Sequence, residues 1–507
     1  LYKLKLGKWV NAIGIYLAAK PTRKCDRMPR ICLGFFQILS GIRLIMITRL
    51  KVLISRIFEN ELIYRIIRNS GYLFGATGFA AAISMAQSIL AGRLLGPSTF
   101  GILGALTAFT SVINRFASFR MNELVVRYVG YYEEQGDQER AAAVFKLAGA
   151  LEIGGSLVAF ALIWILAPVG ALLFAQDPDL VDWFRVYGLI VLANLIYESA
   201  TGILQIFDHF RIIAVVTAIQ SVVTLSLIIF AFFAKWGLIA VVVAYMAGKI
   251  VGSLAITLVA FWQVNRSWGT AWWRVPMRIL ADQRRSLLTF AFSTNISSTI
   301  SLIAKDSEVL WVSAFLGTTQ AGYYKTALAL TNLLQLPVSP LPKATFPELS
   351  REIARQNWGN VRYVLRQGSR LAAAYSVPVT LALILLGQPL IRLTYGFEYL
   401  LAYPALIILL IGYSFVNIFY WNRVALLSLA RPVFPTLVNF VGMLIKVALI
   451  FLLVPIYGYL VFPALLSGYY LFTVGIAAAR VFFDLRNRAG SNTTLTSLSE
   501  LEDGGKR

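Results

Sequence analysis

Ala91-Gly92-Arg93-Leu94-Leu95-Gly96-Pro97-Ser98-Thr99-Phe100-Gly101 joins two long apolar segments, and Phe315-Leu316-Gly317-Thr318-Thr319-Gln320-Ala321-Gly322 joins two more in the second half of the chain. At one offset Gly96 matches Gly317 and Gly101 matches Gly322. The same offset sets Ala108 over Ala329, Thr110 over Thr331 and Asn114 beside Gln335. The chain reads as an internal repeat.

Composition narrows what such a repeat can be. Mean hydropathy is +0.71 and 58% of the 507 residues are hydrophobic, which leaves too little polar surface to cover a soluble globule. A polytopic membrane protein is expected. The net charge of +22, set among long apolar runs, points to cationic loops facing anionic lipid rather than to nucleic acid. Cys25 and Cys32 are the only cysteines and His209 the only histidine, so no disulfide framework, metal or other cofactor is expected. Leu1 in place of a methionine fits a fragment, a processed product or an alternative start codon.

Residues 1–70 carry many Lys and Arg among short apolar runs and suit an amphipathic segment lying on the cytoplasmic membrane surface. Hydropathy then places six crossings near 72–92, 100–119, 146–167, 184–207, 211–234 and 238–262, within a first lobe 71–262. A linker, 263–286, contains Trp268, Trp272 and Trp273 and suits the membrane interface. The second lobe, 287–483, offers crossings near 287–316, 321–342, 364–386, 403–427, 432–454 and 459–482, with Pro337, Pro340, Pro342 and Pro347 breaking the end of the eighth. The Ser/Thr/Gly-rich tail, 484–507, is expected to be disordered and cytoplasmic.

Lys and Arg concentrate in 120–146, 263–286 and 343–370, and the connections 96–99, 168–183, 235–237, 317–320, 388–402 and 455–458 are poor in them. Both termini are therefore expected in the cytoplasm. Six crossings per half is an even number, so the halves run parallel. The expected fold is an all-α integral membrane protein of about twelve transmembrane helices in two lobes, related by a pseudo-two-fold along the membrane normal, with a substrate path between them.

Polar stripes at helical spacing mark faces turned from lipid. Thr77, Ser84, Gln87 and Ser88 run along the first crossing, and Thr107, Ser111, Asn114, Arg115, Ser118 and Asn122 along the second. Thr294, Ser298, Ser301, Lys305 and Glu308 follow the seventh, and Thr331, Gln335 and Ser339 the eighth. A cation at a helix centre costs roughly 2.5–3.5 kcal/mol, so it is paired or faces water. Arg115, Lys249, Lys305, Lys325 and Lys446 are the cations at depth, with Arg93 at the mouth; Glu152, Glu198, Asp306 and Glu308 are the anions. Lys305 and Glu308, three apart, are candidates for an internal ion pair, and Lys249 and Lys446 are equally open to pairing or snorkelling. Arg115 is the leading ligand for an anion, because a guanidinium grips phosphate through two bonds.

Arg93-Leu94-Leu95-Gly96-Pro97 followed by Phe100-Gly101 resembles the R-x-LGP-x-x-FG pattern of Wzx-type polysaccharide-repeat flippases, within the multidrug/oligosaccharidyl-lipid/polysaccharide exporter superfamily. Glu308, nine residues before Gly317, and Gly322-Tyr323 match further elements, whereas Thr318 replaces the second proline. The resemblance implies export of an undecaprenyl-pyrophosphate-linked oligosaccharide from the cytoplasmic to the outer leaflet of a bacterial inner membrane. Arg93, Arg115, Lys305 and Lys325 would meet the pyrophosphate, with Asn114 and Gln335 among the sugar ligands and Glu152, Glu198 and Glu308 as ion-coupling candidates. Expected partners are the lipid-linked oligosaccharide and membrane lipids, with polysaccharide polymerase and export proteins as further candidates, and the chain is expected to act as a monomer.

The rival readings are an ion-coupled drug or small-molecule exporter of the same fold, a passive scramblase or accessory component, and a membrane glycosyltransferase. The last would need paired acids or a catalytic histidine on a sizeable outer loop. Asp177-Pro178-Asp179 sits on a short one, and His209 lies beside Asp208 and Arg211 in a turn. No enzymatic activity is expected.

Overall fold

The computed structural model describes residues 61–504 apart from 118–120, 284, 286, 288 and 290–298, with side chains described over 78–487. The expected surface leader therefore falls almost wholly outside the described residues, as do Ser118, Thr294, Ser298 and the side chain of Thr77.

Among the described residues the chain is helical without a strand. Helix α1, Glu61–Ala117, runs in two arms that break at Gly96. Next come α2, Gln138–Gly170, and a fourth crossing split into α3, Val181–Gly188, and α4, Tyr197–Ile206. Helices α5, Phe210–Phe233, and α6, Leu238–Trp268, finish the first lobe. In the second half a π-helical turn, Leu302–Asp306, leads into α7, Glu308–Leu316. There follow α8, Thr318–Gln335, α9, Leu341–Ala354, and α10, Trp358–Thr394. The chain continues as α11, Ala402–Ile418, α12, Asn422–Ser428, α13, Val433–Tyr457, and α14, Val461–Gly504.

Eight stretches of the described residues are long and apolar enough to cross a bilayer, and two of them, Gly78–Glu134 and Val433–Asn487, are long enough to cross twice. With α7 and α8 this makes the twelve-helix, two-lobe fold. The prolines end α8 at Gln335, as their sequence implies, since Pro337 and Pro340 have no N–H to continue it.

Two further stretches are tied to the lobes. Helix α14 continues beyond the twelfth crossing: Asp484, 4% exposed, pairs with Arg431 at 2.6 Å and Arg480 at 3.3 Å. The Trp-rich linker folds back on the first lobe: Lys146 donates to the carbonyls of Trp273 and Val275, both at 2.6 Å, and Trp268 donates to Glu133 at 2.8 Å.

The repeat is visible in the backbone. Gly96 (φ 70°, ψ 171°) and Gly317 (φ 92°, ψ 172°) share a conformation that side-chain-bearing residues rarely adopt. A Cβ at Gly101 would fall 1.7 Å from the carbonyl oxygen of Thr318, and one at Gly322 would fall 2.0 Å from that of Pro97. Pro97 and Thr318 are themselves repeat partners, so the contact is two-fold symmetric. Ser98 and Thr318 touch through their hydroxyls at 3.1 Å. Nearby, Tyr399 donates to the Gly92 carbonyl at 2.8 Å, while Ser313, the repeat partner of Gly92, donates to the Phe174 carbonyl.

With Cys25 and Cys32 replaced by serine, the pair Ser98→Cys and Thr318→Cys is expected to form an intramolecular disulfide under mild oxidant. Adding Gly101→Leu should slow that reaction at least about tenfold by forcing the backbones apart. An unchanged rate, followed by gel mobility, would refute the glycine-dependent contact.

Candidate functional site

A cavity of about 460 Å³ lies inside the first lobe, lined from all six of its crossings. Ser84 and Gln87 of the first polar stripe and Thr107, Ser111 and Asn114 of the second lie on its wall. The fourth crossing makes room for it by breaking: a 3₁₀ stretch, Leu189–Asn194, separates α3 from α4. Non-helical backbone at membrane depth is tolerated where it lines a cavity or is buried in protein. Helix α4 consequently starts inside the lobe with bare N–H groups. Glu152 from α2, 3% exposed, caps them, accepting from the Glu198 N–H at 2.7 Å, the Ser199 N–H at 2.9 Å and the Ser199 hydroxyl at 2.6 Å. The carboxylate also complements the positive end of the helix. Glu198 and Lys249 share the wall, and the Lys249 ammonium lies 4.4 Å from the centre of the Tyr197 ring.

A second cavity, about 200 Å³, lies inside the other lobe, among Ser301, Lys305, Asn422, Arg423, Thr436 and Asn439. Among the described residues its lining includes two cations and no carboxylate.

Lys305 and Glu308 do not pair. Lys305 belongs to the π-helical turn, Ser307 leaves helical geometry and Glu308 starts the next helix, so a spacing of three no longer sets the two on one face. Glu308 instead pairs with Lys446, at 1% and 3% exposure. The Lys446 ammonium also donates to the Ala304 carbonyl of the π-helical turn, and Tyr324 donates to Glu308 at 2.7 Å.

One ion pair bridges the lobes beside these cavities. Arg115 meets Asp306, with side chains 50% and 37% exposed. Asn114, next to Arg115, lines the first cavity; Lys305, next to Asp306, lines the second.

The other expected ligands stand elsewhere. Arg93 donates to the carbonyls of Leu393 and Thr394, the last of α10, and so caps that helix from the opposite lobe. Lys325 lies against Gly104, its repeat partner, with its ammonium 4.2 Å from the centre of the Phe100 ring. Gln335 ends α8 and lines neither cavity. In the eighth crossing, Thr331 and Ser339 hydrogen-bond to carbonyls of their own segment, at 2.7 and 2.9 Å. Sequence reading passes over Arg423, although an arginine inside the stretch 403–427 was an available signal.

Fold and cavities together define a two-lobe, twelve-helix membrane protein. The chain belongs to the polysaccharide biosynthesis protein family, which matches residues 89–404, in agreement with the Wzx-type flippase resemblance. It is 25% identical over 342 residues to inner membrane protein YghQ of Escherichia coli (strain K12), across 67% of this chain and 94% of that protein. In fold it is similar to an inward-facing multidrug resistance MATE family transporter of the MOP superfamily, with a TM-score of 0.64, 15% identity, and 81% and 96% of the two chains covered. The lipid II flippase MurJ in an inward closed conformation gives a TM-score of 0.63, 16% identity and coverage of 85% and 93%.

Removing one member of a buried pair strands the other, at a cost of about 3–5 kcal/mol, whereas an apolar replacement of both is close to neutral. Glu308→Leu alone is therefore expected to lower the thermal midpoint in detergent, and Glu308→Leu with Lys446→Met to restore most of it. A double variant no more stable than the single would contradict a structural role for the pair.

Proposed function

We propose that the protein flips an undecaprenyl-pyrophosphate-linked oligosaccharide from the cytoplasmic to the outer leaflet of a bacterial inner membrane, by alternating access between its lobes. The observation that carries this reading is the half-exposed Arg115–Asp306 pair between a hydroxyl- and amide-lined cavity and a cationic one. An exposed ion pair contributes about 0–1 kcal/mol, and hydrogen bonds to a charged group about 1.5–3 kcal/mol each. A pyrophosphate, rich in acceptor oxygens, therefore displaces Asp306 from Arg115. Lys305 and Arg423 stand beside it as further counter-charge. Releasing Asp306 removes a tie between the lobes, so loading substrate and freeing the lobes to move are one event.

The distribution of Lys and Arg supports cytoplasmic termini, with the glycine contact at the outer end. With that end in contact and Arg115 exposed, the pair is reached from the cytoplasmic side, where a lipid-linked glycan is loaded. The polyprenyl chain stays in the bilayer. Of the acids, Glu152 acts as a helix cap and Glu308 as half of a buried pair, and Glu198 beside Lys249 is the candidate for ion coupling. The family assignment supports this reading, as does the fold shared with a lipid II flippase.

In proteoliposomes containing a fluorescent undecaprenyl-pyrophosphate oligosaccharide, leaflet exchange should need the protein. Arg115→Ala should slow it at least about tenfold, in line with loss of a charged hydrogen bond, and Arg115→Lys should keep part of it. Unimpaired exchange by a well-folded Arg115→Ala variant would sink the assignment.

A further inference from the structure

We infer that the first-lobe cavity seats the glycan of the lipid-linked substrate, a neutral polyhydroxyl group, apart from the cationic path that holds its pyrophosphate; this rests on the flippase reading above. The two cavities differ in charge as the two parts of such a substrate do. The second has Lys305 and Arg423 and no lining carboxylate. The first has Glu152 and Glu198 against Lys249 alone, a balance that disfavours an anion and leaves a neutral ligand untouched.

Its walls suit a sugar in three ways. At about 460 Å³ the space is that of a small-molecule site. Hydroxyls and amides from five of the crossings line it, among them Ser84, Asn114, Asn194 and Gln220, and these donate to and accept from alcohols with equal ease. Tyr187 and Tyr245 add flat apolar faces against which a pyranose ring packs. A buried polar atom completes the case: Thr110, 3% exposed, lies on the cavity wall, and its hydroxyl has no hydrogen-bond partner among the described residues. Such a group calls for a polar ligand or water.

A bare cation fits less well. It needs six to eight oxygens within about 2.6 Å, whereas both oxygens of Glu152 are already engaged by three donors of residues 198 and 199. No cluster of three His, Cys, Asp or Glu able to hold a metal occurs among the described residues. Continuity also favours the glycan: Asn114 lines the cavity and Arg115 follows it in the chain, as the first sugar follows the pyrophosphate in the substrate.

The test measures binding of the full chain in nanodiscs to undecaprenyl pyrophosphate and to a panel of the same lipid carrying one to three pyranose residues. The unaltered protein should bind at least one glycosylated lipid about tenfold more tightly than the bare one, a margin that two neutral hydrogen bonds suffice to give. Thr110→Val, which removes a single hydroxyl at nearly constant volume, should lower that preference about fivefold and leave binding of the bare lipid unchanged. Ser84→Trp, on an exposed part of the wall, should abolish it by filling the space. If the protein binds bare and glycosylated lipids equally, or both variants weaken the two lipids alike, the glycan seat is overturned while the flippase reading stands. If the variants keep the glycan preference and lose a sodium or proton dependence of transport, the cavity is an ion site instead. Failure of the unaltered protein to bind either lipid would remove the flippase reading and this inference with it.

Discussion

Everything in the arrangement of the lobes depends on two glycines lying against carbonyl oxygens. In a bilayer no hydrophobic force draws one helix to another, because lipid tails are as apolar as leucine; association rests on close packing and on polar contacts. Gly101 and Gly322 supply the first, each leaving room for only a hydrogen against the backbone of the other half. The second is arrayed around them: Tyr399 on Gly92, Ser313 on Phe174, Arg93 on the end of α10. Each of these hydrogen bonds has a main-chain acceptor, so it tests the position of a backbone rather than a rotamer. The lobes are thereby held in one register at one end, and the Arg115–Asp306 pair joins them through exposed side chains.

A second constraint shapes each lobe from within. Backbone polar groups at membrane depth must be satisfied by the protein, so a crossing interrupted to form a cavity needs a partner for the groups it releases. The first lobe solves this with an anion on N–H groups, Glu152 on the start of α4. The second uses a cation on a carbonyl, Lys446 on Ala304 in the π-helical turn. Both charges are engaged in holding the scaffold. Arg115, Lys305 and Arg423, by contrast, are exposed.

The glycine repeat was readable because its information is local: equal spacing in two stretches carries through to equal φ and ψ at Gly96 and Gly317. Crossing positions and the polar faces of the first two crossings were readable for the same reason, since hydropathy and helical period are short-range. Pairing was not. Arg115 and Asp306 stand 191 residues apart, and Lys446 and Glu308 138 apart, so nothing in the spacing chooses among the available charges. Where spacing did offer a pair, Lys305 with Glu308, the break in helical geometry at Ser307 separated them. The repeat itself misled in one respect, because Thr331 and Gln335 of the eighth crossing line neither cavity while their partners Thr110 and Asn114 in the second line the first.

The buried Lys446–Glu308 pair also has a consequence for how the chain is made. Each of these side chains enters the bilayer on its own helix, and a charge there costs roughly 2.5–3.5 kcal/mol until it finds its counter-ion. Glu308 leaves the ribosome 138 residues ahead of Lys446. At about 5–20 residues per second, that is a wait of roughly seven to thirty seconds during synthesis. During that interval the seventh crossing is the weakest member of the nascent second lobe. It settles only when the eleventh arrives, so the second lobe matures from its far end backwards, and a ribosome that stalls between them leaves a helix with reason to slip out of the membrane.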